Sequence, residues 1–280
     1  MNKKGPAQAG PFCFFGIMNS ILITGAGSGI GAATARTLAQ RTGIRVLLMG
    51  RREAPLREVL SSLPKGGAHV VVSMDVSDAE SLQTWLSGPE AALDRHPLVG
   101  VFANAGVGGP NAFGEGDRWD EIIRINLTGT YNTLMCCKPH LDRSSGVKHA
   151  VVTSSVLARF GVPGQSAYVT TKTGLLGLVR SLAVEWSPQG VMVNAICPGW
   201  VDTEMAQDSI QAMADAQGIS YKASKAQQEA ILPAGRISTP EEMAQWVNFL
   251  FSGLGDGETE ARVETLTGQA LDVNSGSWMG

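Results

Sequence analysis

A short apolar run, Ser20-Ile-Leu-Ile-Thr24, passes directly into Gly25-Ala-Gly-Ser-Gly-Ile-Gly31, and the glycines open onto Ala32-Ala-Thr-Ala-Arg-Thr-Leu-Ala39, a stretch of helix-forming composition. That order reads as strand, tight turn and helix. Free N–H groups at a helix N-terminus, together with the helix dipole, attract an anion. Glycines in the turn let backbone close on a pyrophosphate. The turn residues Gly25, Ser28, Gly29, Ile30 and Gly31 are therefore candidate contacts for a dinucleotide. The fit to G-x-G-x-x-G is imperfect, since starting at Gly27 it would need Ala32 in last place. Gly25, Gly29 and Gly31 instead follow T-G-x-x-x-G-x-G from Thr24.

Strand-like and helix-like segments alternate along the rest of the chain. Such alternation implies an α/β fold with right-handed crossovers and a parallel sheet. Strands are expected near 20–25, 45–50, 69–75, 99–104, 149–154, 192–197 and 269–273, and long helices near 117–142 and 165–186. A length of 280 residues suits one such domain, spanning 19–280, with no linker and no internal repeat. Residues 1–18 stand apart: Lys3 and Lys4 precede Phe12-Cys-Phe-Phe-Gly-Ile-Met18, which is too short to span a bilayer. That segment is read as a disordered leader or a misassigned start, with a peripheral anchor as the lesser alternative. The polar stretch from Asp202 to Gly235, with scattered Met205, Ile210, Met213 and Ile219, reads as a substrate lid or as a pair of surface helices.

The second strand bears on cofactor choice. Arg45-Val-Leu-Leu-Met-Gly50 ends in Arg51 and Arg52, where an NAD site would carry a carboxylate for the ribose 2′-hydroxyl. Guanidinium groups suit a 2′-phosphate, which places NADP ahead of NAD. Against this, both arginines could simply begin a solvated helix, and Ser28 is not the basic residue that would strengthen the case.

Tyr168 and Lys172 are spaced to share one face of a helix, one turn apart. An ammonium there would stabilise a phenolate and lower the tyrosine pKa, fitting Tyr168 to give or take a proton near neutral pH. Ser155 ends the apolar run His149-Ala-Val-Val-Thr-Ser-Ser155, and could offer its hydroxyl to the same substrate oxygen. Spacing alone is weak evidence, because Tyr221-Lys-Ala-Ser-Lys225 repeats it. Asp208, not a serine, lies thirteen residues before Tyr221, so the second copy reads as coincidence on an exposed helix or loop.

With these residues in place the chain resembles the classical short-chain dehydrogenase/reductase (SDR) family from Asn19 onward. The resemblance rests on Thr24-Gly-Ala-Gly-Ser-Gly-Ile-Gly31, Asp75-Val76, Asn104-Ala-Gly106, Ile125-Asn-Leu-Thr128, Ser155, Tyr168-x-x-x-Lys172 and Pro198-Gly-Trp-Val-Asp-Thr203, in that order. It implies a Rossmann-type doubly wound parallel sheet of about seven strands in the order 3-2-1-4-5-6-7, with helices on both faces. It also implies a catalytic tetrad of Asn126, Ser155, Tyr168 and Lys172. Asp75 and Val76 would contact the adenine, and Asn104, Ala105 and Gly106 would line the cleft. Pro198, Gly199, Val201 and Thr203 would hold the nicotinamide end. Structural alternatives stay open: Asn126 bridging a helix kink, Asn104 pinning two strands, Asp75 capping the helix that begins near Asp78.

The expected activity is NADP(H)-dependent reduction of a ketone or aldehyde, or the reverse. NAD-dependent oxidation of an alcohol or hydroxy acid is the alternative, and a nucleotide-binding protein without chemistry the third. A formal charge of −3 gives no case for nucleic acid or an acidic membrane surface. His69, His96, His140 and His149 lack metal-ligand spacing. Cys13, Cys136, Cys137 and Cys197 form no C-x-x-C, so metal and thiol chemistry are not expected, and Cys136 and Cys137 read as buried thiols. Val107, Gly108, Val156, Leu157, Phe160, Gln165 and Trp200 would face the substrate in a mostly apolar pocket. Arg159, the nearby cation, reads as a solvated surface charge. A cytoplasmic protein is expected, and the resemblance implies a homotetramer, with a dimer second. An edge strand followed by an exposed Trp278, and apolar residues in excess of one stripe, such as Leu175, Leu178, Val179, Leu182 and Trp186, are liabilities for a monomer.

Overall fold

The computed structural model describes residues 18–252, 254 and 264–280. Its sheet is parallel and seven-stranded, in the order β3-β2-β1-β4-β5-β6-β7. The strands are β1 (Asn19–Thr24), β2 (Ile44–Gly50), β3 (Val70–Ser73), β4 (Leu98–Ala103), β5 (Lys148–Thr153), β6 (Val191–Pro198) and β7 (Ala270–Val273). Between them run α1 (Gly29–Leu38), α2 (Glu53–Ser62), α3 (Ala79–Ser87), α4 (Trp119–Ile122), α5 (Gly129–Leu141), α6 (Ser166–Trp186), α7 (Glu204–Gln217), α8 (Tyr221–Ala230) and α9 (Pro240–Leu250). The expected N-terminal extension lies outside the described residues except for Met18, which is buried and donates its N–H to His96 Nδ1 at 3.3 Å.

Continuous apolar runs become strands here because both faces of the sheet are covered. Alternate side chains point to opposite faces. Leu22, Leu47, Met49, Val101, Ala103, Val152, Val193 and Ala195 pack with Leu134 and Leu141 of α5 and with Leu175, Val179 and Leu182 of α6. Ile21, Ile23, Val46, Leu48, Phe102, Val151 and Ile196 turn the other way, onto Ala35 and Leu38 of α1, Leu56 of α2, and Val247 and Leu250 of α9. The residues taken as an apolar excess on α6 are thus spent inside this chain: Leu175, Val179, Leu182 and Trp186 are all buried, and Leu178 is half-buried against the same core. Trp278 is not exposed as expected either, being half-buried beneath Arg159.

Two further boundaries differ from expectation. The third strand stops at Ser73 because Asp75 turns the chain, its carboxylate accepting from the backbone N–H and the hydroxyl of Ser77 at 2.8 and 2.7 Å. Capping of α3 falls to Asp78, which accepts from Ser81 N–H at 3.0 Å. The helix expected over 117–142 is one helical run interrupted by a π turn, Ile123–Thr128, between α4 and α5. Asn126 sits in that turn and is fully buried. The stretch read as a lid or as surface helices forms α7 and α8, whose Ile210 packs with Leu232 and Ile237. Tyr221 and Lys225 belong to α8. The tyrosine packs on that small cluster and Lys225 Nζ lies 3.4 Å from Asp202.

His149, on β5, is buried with its Nδ1 unpartnered and its ring edge-on to Phe251. Burial, and secondarily the Arg41 charge, push its pKa down to about 4. The unfolded chain therefore binds an extra proton between about pH 6.5 and the folded value, and stability falls as pH drops through that window. Urea unfolding should lose up to roughly 3 kcal/mol between pH 7 and pH 4 from this group. His149→Leu should flatten that part of the profile; parallel profiles for the two proteins would contradict the assignment.

Candidate active site

The C-terminal ends of β1, β4 and β5 meet at Asn104. Its Nδ2 donates to Thr24 O at 3.2 Å, and its Oδ1 accepts from Thr153 Oγ1 at 2.9 Å. Thr24 Oγ1 in turn accepts the N–H groups of Asn104 and Ala105, both at 3.0 Å. Asn104 therefore does pin strands together, three rather than two, and in doing so holds the glycine turn against the end of β4.

That turn has the shape a dinucleotide needs. Gly25 has φ +66°, and a Cβ on Gly31 would lie 2.2 Å from Gly25 O and 2.8 Å from Asn104 Nδ2. Any side chain at Gly31 would collide with the backbone of the turn and with Asn104. Ser28 is the N-cap of α1, yet its side chain makes no cap bond, which leaves the first N–H groups of the helix to a ligand. Ile30 begins the first turn beside it. These residues fit a pyrophosphate. Arg51 and Arg52 follow β2 and are exposed, and Arg52 Nη2 lies 3.8 Å from Glu204. Burial works against the Asp75 carboxylate, but the Ser77 hydrogen bonds and the charges of Arg124 and Arg51 bring its pKa below the usual value. Arg51 is thus within electrostatic reach of Asp75. Val76 is buried, and a Cβ on Gly129 would sit 2.5 Å from its Cγ2.

At the other end of the cleft, Gly106 brings the remaining groups together. A Cβ there would lie 3.2 Å from Asn126 Oδ1 and 3.6 Å from Lys172 Nζ. Asn126 accepts Val107 N–H at 2.8 Å and donates to Val107 O at 2.9 Å and to Thr171 Oγ1 at 3.4 Å. The π turn aims this side chain inward, so it ties the loop after β4 to α6. The first turn of α6 is capped from outside, because Asn111 Oδ1 accepts Ala167 N–H at 2.8 Å and Ser166 Oγ–H at 3.1 Å. Tyr168 and Lys172 stand one turn apart on that helix, with Lys172 Nζ 5.5 Å from the phenol ring centroid and donating to Thr153 O at 2.8 Å.

The electrostatics depart from expectation. Burial raises the Tyr168 pKa, and the hydrogen bond with the Ser155 hydroxyl only partly offsets this. Burial also drives Lys172 down to about 8, with Cys197 opposing. At Tyr168 in the chain alone, desolvation therefore outweighs the Ser155 hydrogen bond, and the phenol is not drawn down as expected. Ser155, at the end of β5, accepts Leu157 N–H at 3.1 Å.

Pro198 pairs with Val273 at the end of β6, Gly199 abuts Asn274, Val201 bridges Ser238, and Thr203 caps α7 through Ala206 N–H at 3.4 Å. Gly29 faces Thr203, so this loop closes over the glycine turn. Of the expected substrate-facing residues, Val107 and Gly108 line the loop after Gly106, Val156 is buried, Leu157 half-buried, Phe160 exposed and Gln165 precedes α6. Trp200 packs instead on the cluster of Ile210, Leu232 and Ile237. Three contacts escaped the sequence. Met205 Sδ would lie 3.0 Å from a Cβ on Gly108, Arg118 Nη1 donates to Gly108 O at 2.8 Å, and Arg159 pairs with Asp272 at 3.0 Å rather than facing solvent. No local pattern marks these partners: two of the pairs are some hundred residues apart, and the third crosses an irregular loop.

The fold and cleft define a nucleotide-dependent oxidoreductase. The chain belongs to the short chain dehydrogenase family, whose model matches residues 19–214. It is 34% identical over 262 residues to the short-chain reductase protein NovJ of Streptomyces niveus, covering 91% of this chain and 92% of the relative. A variant of actinorhodin polyketide ketoreductase solved with NADPH superposes with a TM-score of 0.81 at 29% identity, covering 93% of this chain and 97% of that one. The 3-ketoacyl-(acyl-carrier-protein) reductase of Brucella melitensis, solved with NADH, gives 0.76 at 25%, covering 94% and 99%. The chain is thus an enzyme acting on a CH–OH or C=O group with NAD or NADP, which sets aside the reading as a binding protein without chemistry.

Unfolded Lys172 titrates near 10.4 and the folded group at about 8. Between those values the unfolded state holds the extra proton, so stability rises with pH. Lys172→Met should remove that rise. The difference in unfolding free energy between the two proteins should change by roughly 2 kcal/mol between pH 7.5 and 9.5, and a constant difference would contradict a buried lysine.

Proposed function

We propose that the chain is an NADP(H)-dependent reductase of a ketone or aldehyde, reversible with the alcohol, in which Asn126, Ser155, Tyr168 and Lys172 carry the proton chemistry. The observation that carries this reading is the convergence of Gly106, Asn126 and Lys172 at the end of a cleft that begins at the glycine turn. A bound nicotinamide supplies or accepts the hydride. Tyr168 gives its proton to the carbonyl oxygen and Ser155 donates a hydrogen bond to the same atom. A phenol raised by burial is a proton donor that keeps its proton until the oxygen gains charge. Lys172 holds the ribose hydroxyls, and its charge supports the phenolate once that forms. Asn126 positions the route by which a proton returns from solvent. The turn residues Gly25, Ser28, Gly29, Ile30 and Gly31 would take the pyrophosphate, and Asp75 with Val76 the adenine. Asn104, Ala105 and Gly106 would line the middle, and Pro198, Gly199, Val201 and Thr203 the nicotinamide end.

The α7–α8 pair serves as the lid, with Met205 reaching across to Gly108. The working assembly is a homotetramer, with a dimer second. Tyr131, Met135 and Val184 on α5 and α6, and Trp246 with Phe249 on α9, are among the exposed apolar residues of the described chain and would serve it. Among the described residues no helix is long and apolar enough to cross a membrane, and we assign the protein to the cytoplasm.

Tyr168→Phe should cut kcat/KM for a reducible carbonyl by about 10²–10⁴ while NADPH binding persists; full activity would sink the assignment. Arg51→Asp should weaken use of NADPH by roughly ten-fold or more and spare NADH. NAD dependence is the second reading, favoured by the Arg52–Glu204 pair and by the NADH bound in the Brucella melitensis enzyme. A wild type that turns over NADH in preference to NADPH would support it, whereas an unchanged NADPH preference in the Arg51 variant would show only that Arg51 does not read the 2′-phosphate.

A further inference from the structure

Arg159 lies just past the 3-10 turn Val156–Ala158 that Ser155 opens. Its Nε and Nη2 donate to the two oxygens of Asp272 at 3.2 and 3.0 Å, and Nη2 also reaches Ala270 O at 3.4 Å. The guanidinium carbon sits 4.8 Å from the centre of the Trp278 ring. A forked pair combined with a stack is an arrangement that lysine cannot reproduce. Both partners belong to the end of the chain: Asp272 to β7, and Trp278 to the segment that folds back after it.

That segment is ordered by Asn274, which is buried and whose Oδ1 accepts from Gly276 N–H at 3.1 Å and Trp278 N–H at 3.4 Å. It touches two more pieces of the site. A Cβ on Gly199 would lie 2.8 Å from Asn274 O, so the loop leaving β6 rests directly on it. Ala234 N–H donates to Ser275 O at 3.1 Å, and the hydroxyls of Ser238 and Ser275 are 3.0 Å apart, which joins it to the chain leaving α8. Cys197, buried next to the clamp on β6, pairs in register with Asp272 of β7.

We propose that Arg159 is a positioning residue for carbonyl reduction. By clamping residues 272–278 it fixes the loop that starts at Ser155 relative to the loop from Pro198 to Thr203, so that the substrate oxygen meets Ser155 and Tyr168 together. This rests on the reductase reading above. Losing the clamp leaves every reacting group present but lets the two walls drift, and a displacement of about 1 Å is enough to cost up to 10² in rate.

The test is steady-state reduction of a carbonyl that the wild type turns over, using Arg159→Gln, Trp278→Leu and the double variant, with NADPH affinity followed by fluorescence. Each single change should lower kcat/KM about ten-fold with cofactor affinity within about two-fold of wild type. The double variant should be no worse than the poorer single one, because both break one unit. Arg159→Lys should recover only part of the loss, and it carries the comparison if Arg159→Gln does not fold. Wild-type kcat/KM in a folded Arg159 variant, additive losses, or a loss confined to cofactor affinity would overturn the proposal. A wild-type chain that reduces no carbonyl overturns the reductase reading, and this role with it; that outcome differs from an active wild type matched by its variants.

Discussion

Three strand ends share one side chain. Asn104 donates to the last carbonyl of β1 and accepts from the last hydroxyl of β5, and its own N–H bonds to Thr24 Oγ1. In a parallel sheet the carboxyl ends of the strands are where the chain diverges and a crevice opens. Without a cross-link there, the glycine turn after β1 and the loop after β4 would be free to separate. With it, Gly25 lies so close to Ala105 that a Cβ would come within 3.0 Å of Ala105 Cα. The cross-link also continues to Lys172, because the O of the same Thr153 accepts from Lys172 Nζ at 2.8 Å. Glycine turn, strand ends and buried ammonium form one connected set of hydrogen bonds.

The rest of the site is built by side chains that act on backbone at a distance. A π turn places Asn126 so that its amide satisfies both the N–H and the O of Val107, and Asn111 supplies the cap that α6 lacks from its own sequence. These two asparagines fix opposite flanks of the loop that leaves Gly106. Desolvation then acts on both ionisable groups, raising the Tyr168 pKa and bringing Lys172 down to about 8.

Much of this was legible because it is periodic or local. Strand order follows from alternation and the family pattern, and the turn after β1 follows from glycines that no other residue could replace at Gly31. The strand-pinning alternative left open for Asn104 is a real structural role, while Asn126 bridges no kink and instead ties the loop after β4 to α6. What could not be read is long-range and aperiodic. The Arg159–Asp272 pair spans 113 positions and Asn111 caps a helix 56 residues away. Burial, not sequence, decided the direction of the Tyr168 shift. The apolar residues of α6 exceeded one stripe for the same reason: the helix is embedded between the sheet, the π turn and the 3-10 turn after Ser155, and its Leu175 and Val179 are consumed there.

A crystal structure with NADP bound tests the connected cleft most directly. The dinucleotide should lie with its pyrophosphate on Gly29–Gly31, its 2′-phosphate against Arg51, and its nicotinamide ribose beside Tyr168 and Lys172, with the Asn104 cross-link intact. A dinucleotide seated elsewhere, or bound here only after Asn104 lets go of Thr24 and Thr153, would contradict it.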